Sequence, residues 1–125
     1  MAGELTAAAG QRLVERLQLL PVPARRLLCV LVRQAYQGTL RSKEPGRATM
    51  PEIHEACGLD VDELQGVLTV LEDAHFVKLQ GAYPFEEVQL EGGSVWEMVL
   101  KRCESTGTPL ETVVVDSQVQ PLIAP

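Results

Sequence analysis

Two helix-start signals stand eleven residues apart, Thr49 with Glu52 and Asp60 with Glu63, and a glycine, Gly58, falls between them. In each pair an oxygen-bearing side chain can accept an orphan backbone N–H, while the glutamate three residues later reaches back to the start. Pro51 suits the first turn of the first helix, whose inner face is expected to be Ile53, Ala56 and Cys57. Behind the second signal Leu64, Val67, Leu68 and Leu71 recur at i, i+3, i+4 and i+7, the period of a helix with one apolar face. A short helix, a tight Gly-Leu turn and a longer helix predict a helix-turn-helix.

The flanking sequence adds further elements. A first helix is expected over residues 4–20, with Leu13, Val14, Leu17 and Leu20 on one face and Pro21 as its stop. Pro23 opens a second helix to about Gln37, in which Leu27, Leu28, Leu31, Val32 and Ala35 give the broadest apolar face in the chain and Gly38 a C-terminal cap. Residues 38–48 turn to Gly, Pro, Ser, Lys and Arg and read as an exposed loop. Alternation over 76–80 and 85–90 predicts a β-hairpin with a four-residue turn, Val77 and Leu79 pairing inward with Val88 and Leu90. Ser94 and Glu97 form a third capping box and open a helix to about Glu104, with Trp96, Val99, Leu100 and Cys103 facing the core. Residues 112–115 are expected to add a strand, and the last few residues to be loose.

Helix, short helix, turn, longer helix and hairpin over residues 23–90 is the order of a winged-helix domain. The expected class is α+β, mostly α: a winged helix-turn-helix over 23–104 including its closing helix, an extra N-terminal helix within 1–22, and a C-terminal tail over 105–125. Leu20-Pro21, the apolar run at 27–32, the short helix, the leucine-spaced helix, the hairpin and the helix near Trp96 together resemble the C-terminal winged helix of origin-recognition and Cdc6-type replication initiators. The resemblance implies a place in a replication or similar nucleic-acid-handling assembly. That family's ATPase domain has no counterpart here, because no Gly-x-x-x-x-Gly-Lys-Ser/Thr loop occurs.

Charge divides the functional readings. Residues 1–50 carry eight Arg or Lys against three acids, and residues 51–125 carry three against fourteen. A winged-helix DNA reader places its longer helix in the major groove. Here that helix has no cation and holds Asp62, Glu63, Glu72 and Asp73, with Gln65 and Thr69 as its only side chains able to read a base edge. Carboxylates aimed at phosphates oppose binding, so these four acids are expected to meet a protein partner with a basic surface. Asp60, Asp62 and Glu63 also sit where the helix dipole favours them. The basic set is Arg25, Arg26 and Arg33 on the central helix, Arg41, Lys43 and Arg47 beyond it, and Lys78 at the wing. These are the residues expected to give weak, non-specific contact to duplex DNA, although Arg25 and Arg26 could equally cover the solvent side of an amphipathic helix. Pairing of the basic face with the acidic face of another copy would make a homo-oligomer.

Other chemistry is expected to be absent. Cys29, Cys57 and Cys103 are widely spaced within apolar helical patterns, which suits reduced thiols in an intracellular compartment, nuclear or cytoplasmic. No basic leader precedes a long apolar stretch, and the longest apolar run, 27–32, is too short to span a bilayer. His54 and Cys57 lie three apart but lack two further metal ligands, and no nucleophile has a base and an orienting third group, so neither a cofactor nor an enzyme is expected. Two functions remain: an adaptor in a nucleic-acid-handling assembly, and a protein-docking module with no nucleic-acid role. A dimeric transcription regulator would need a base-reading helix that this pattern does not supply.

Overall fold

The computed structural model describes residues 6–36, 47–81, 87–91 and 95–123. The chain divides into two compact units, Met1–Cys29 with Gly93–Pro125, and Val30–Gly92. The helix near Trp96, expected to close the winged helix, lies in the first of these units.

The first unit is helical. α1 (Ala7–Gln18) starts at Thr6, whose hydroxyl accepts the Ala9 N–H at 3.1 Å, and buries Leu13, Val14 and Leu17. α2 (Val22–Tyr36) begins in this unit and runs on into the second. α5 (Val95–Thr106) buries Trp96, Val99, Leu100 and Cys103, the four residues its spacing predicts. It ends at Gly107, whose φ of 70° lets the Thr108 N–H turn back to the Cys103 carbonyl at 2.8 Å.

The tail departs from expectation. Residues 112–114 of the expected strand lie in α6 (Leu110–Val114), with Val115 as its C-cap, and residues expected to be loose include α7 (Gln120–Ile123), which buries Leu122. Packing explains the first change: Leu110, Val113 and Val114 fall at i, i+3 and i+4 and all three are buried. A helical stripe overrides the β-preference of a Thr-Val-Val-Val run. α1 packs against both α6 and α7, and α5 against α7.

The second unit holds the rest of α2, then β1 (Arg47–Thr49), α3 (Met50–Cys57), α4 (Val61–Asp73), β2 (Val77–Gln80) and β3 (Glu87–Leu90). Asp60 caps α4 as its sequence predicts, accepting the Glu63 N–H at 2.8 Å. Leu64, Leu68 and Leu71 are fully buried along α4, as is Ile53 on α3, whereas Ala56, expected inside, is exposed. The hairpin has the expected register, Val77 opposite Leu90 and Leu79 opposite Val88, with all four buried. Its turn residues 82–86 lie outside the described residues, as do the caps expected at Gly38 and Ser94. The strand missed by the sequence reading is β1, which pairs antiparallel with β3 to give the order β1-β3-β2. Three residues carry almost no local pattern, and the partner strand lies some forty positions on.

Candidate protein-docking and nucleic-acid faces

The face of α4 turned to solvent is built by subtraction. Leu64, Leu68 and Leu71 fix one stripe in the core, which leaves Asp62, Glu63, Gly66, Thr69, Val70 and Asp73 exposed. Anions bracket this face at both ends, and no cation occurs on the helix. At Gly66 the backbone lies open, since a Cβ added there meets nothing within 4 Å, and one turn on Val70 is 39 % exposed. Gly66 and Val70 went unremarked in the sequence reading, although Val70 lies visibly off the leucine stripe.

The two side chains on α4 able to read a base edge are both occupied or hidden. Gln65 is buried at 3 % exposure, and its Oε1 accepts no hydrogen bond among the described residues. The Thr69 hydroxyl donates to the Gln65 carbonyl at 2.9 Å, the back-bond that a helical Thr makes to the preceding turn. Neither arrangement presents a donor and acceptor pair of the kind base-edge recognition needs.

Glu72, expected to face a partner, is turned to the sheet. Its Oε2 accepts the Leu79 N–H at 3.0 Å. Phe76 accepts the Glu91 N–H at 2.9 Å, so alternate N–H groups of β2, Leu79 among them, point away from β3 along the open edge. Glu72 thus occupies a donor on an edge strand that would otherwise be open to another chain. Asp73, its neighbour, stays exposed, as do Asp62 and Glu63. Just beyond, α4 ends in a turn with His75 at φ 64°, the Phe76 N–H bonding the Leu71 carbonyl and the His75 N–H that of Glu72, both at 3.0 Å. Glu72, His75, Val77, Lys78 and Glu91 line an open groove of about 480 Å³ beside this edge.

The basic set is dispersed in role. Arg25 is a fold residue: its Nη1 donates to the Val115 carbonyl at 2.6 Å and to Ser117 Oγ at 3.0 Å, and its Nε to the Leu20 carbonyl at 3.2 Å. Arg26, one residue on, is exposed; Arg33 is half-buried. Arg41 and Lys43 lie outside the described residues. The sheet places the backbone positions of Arg47 and Lys78 in one register row, on either side of Gln89. Lys78 is exposed but shares its groove with the carboxylates of Glu72 and Glu91.

Cys29 and Cys103 are buried thiols, and Cys57 is half-buried with its Sγ 4.0 Å from the His54 carbonyl oxygen. Among the described residues no three His, Cys, Asp or Glu side chains gather as metal ligands do, and no helix is long and apolar enough to cross a membrane. In comparisons with known proteins no family model matches the chain, and no curated protein and no solved structure matches it.

Proposed function

We propose that the helix-turn-helix and three-stranded sheet, together with α2, form a winged helix that works as a protein-docking module, with the exposed face of α4 as the surface that meets a basic partner. One observation carries this reading: the helix that a winged-helix DNA reader inserts into the groove presents Asp62, Glu63 and Asp73, while its one amide side chain, Gln65, is buried. The order β1-β3-β2, with β1 just before the short helix, supports the winged-helix assignment. Phosphate neutralisation dominates duplex binding, so an anionic recognition face opposes it at every sequence. A cationic protein surface gains from the same charges, and Gly66 and Val70 add apolar contact at the centre of the face, where interface energy concentrates.

A nucleic-acid-handling assembly is one setting for such a module. There Arg26, Arg33, Arg41, Lys43, Arg47 and Lys78 are the residues left to touch DNA, Arg25 being committed to the fold. The test maps amide chemical shifts of the full chain titrated with an amphipathic Lys/Leu helical peptide and, separately, with a random-sequence duplex. Shifts from the peptide confined to residues 62–73 support the reading. Peptide shifts that avoid this face, or duplex shifts centred on it, overturn it.

A further inference from the structure

Among the described residues three large apolar side chains are conspicuously exposed, and their surroundings differ in charge. Leu19 is 86 % exposed at the end of α1, and Val22 is 39 % exposed at the start of α2. Pro21 and Pro23 beside them are exposed as well. Arg12 lies seven residues before Leu19, two turns along the same stripe of α1, and Arg26 lies one turn beyond Val22; both are exposed. Glu15 is the one acid on α1, and α2 contains none. The third exposed side chain, Val70, sits instead on the α4 face among Asp62, Glu63 and Asp73.

We infer that the α1–α2 turn is a second docking surface, and that its occupant is the acidic α4 face of another copy of this chain. The inference rests on the reading of α4 as a docking face and names one partner for it. Leu19 is 86 % exposed, and the open backbone at Gly66, with no side chain of its own, would let a neighbouring side chain approach the helix and lie against Val70. Arg12 and Arg26 would then face carboxylates across the rim, where charges set register and encounter rate more than affinity. Such a contact joins unlike surfaces, so it builds head-to-tail rings or open chains rather than a two-fold dimer. Its small apolar centre makes it weak and dependent on salt.

Sedimentation velocity of the full chain over a range of concentrations tests this directly. At low salt the sedimentation coefficient rises with concentration, and raising the salt to about 0.5 M weakens association roughly tenfold, because rim charges are screened. Leu19→Ser abolishes association. So does Arg12→Glu with Arg26→Glu, and so does Asp62→Lys with Asp73→Lys; all five positions are exposed, and circular dichroism confirms that each variant folds. An equimolar mixture of the two charge-reversed variants associates again, since each supplies the complement of the other. A chain that stays monomeric at every concentration at low salt overturns the inference, and so does association indifferent to these substitutions or a mixture that remains monomeric. A monomer whose α4 face still takes the basic peptide overturns the self-contact alone and leaves the docking module standing.

Discussion

The unit built on α1, α5, α6 and α7 holds six basic and six acidic residues, whereas residues 30–92 hold five and eleven, so the whole net charge of −6 falls in the second. Both units turn charged side chains onto their own backbone, with opposite signs. In the first, Arg25 and Arg102 donate to the carbonyls of Val115 and Pro121, anchoring the C-terminal segment. In the second, Asp60 and Glu72 accept the N–H groups of Glu63 and Leu79. Carbonyls left over at helix ends and in turns call for cations, and N–H groups at helix starts and strand edges call for anions. Once these internal roles are set aside, three of the second unit's remaining acids, Asp62, Glu63 and Asp73, stand exposed on one face of α4, and these are what argue for a basic protein partner.

The sharpest way to break this comparison is at Arg25. Arg25→Ala is expected to destabilise the first unit by about 2–3 kcal/mol, because part-buried carbonyls lose a charged donor, while Arg26→Ala is expected to change stability by less than about 0.5 kcal/mol. Denaturant unfolding of the two variants side by side checks it; equal effects would mean that Arg25 is no more structural than its neighbour. At Glu72 the expected loss is smaller. Glu72→Ala removes the acceptor of the Leu79 N–H and costs about 1 kcal/mol, whereas Glu72→Gln keeps an acceptor oxygen and removes an anion from a helix C-terminal end, and is expected to be neutral or slightly stabilising. If Gln proves as damaging as Ala, the charge rather than the hydrogen bond holds the strand edge.

The smallest effect comes from two helix ends that share one hydrogen-bond pattern. α5 closes with Gly107 and α4 with His75, both in the left-handed region. His75→Gly is expected to raise the melting temperature, relieving strain worth about 1 kcal/mol, and Gly107→Ala to lower it by a similar amount. A Cβ at Gly107 meets nothing within 4 Å, so that loss is conformational alone. A His75→Gly variant that is instead destabilised would show that the interactions His75 makes outweigh the strain it carries.

Much of the fold was legible because its signals are local. Asp60 caps the helix it precedes, the leucine spacing of α4 identifies its buried stripe, and alternation sets the hairpin register. Harder features depend on distant residues. β1 exists because β3 pairs with it, and α6 is a helix because Leu110, Val113 and Val114 find a core to enter. Of the site residues, Asp62, Glu63, Asp73 and Arg26 lie at the surface as expected, whereas Arg25 and Glu72 do not serve as free charges. A helical wheel does contain that signal: Arg25 shares a stripe with Leu28 and Val32, and Gln65 and Glu72 share one with Leu68. What it does not contain is the partner atom, which for Arg25 lies ninety residues away.

On the proposed reading α4 meets protein and not DNA. Fluorescence anisotropy of a labelled random-sequence duplex, titrated with the full chain at low and then physiological salt, tests it most directly. The expected result is no saturable rise that depends on α4: anisotropy stays flat, or shows only a weak rise that Arg26→Glu with Lys78→Glu removes. Binding that survives those changes but falls when the exposed Thr69 is replaced by Ala would contradict it, and would put α4 in the groove after all.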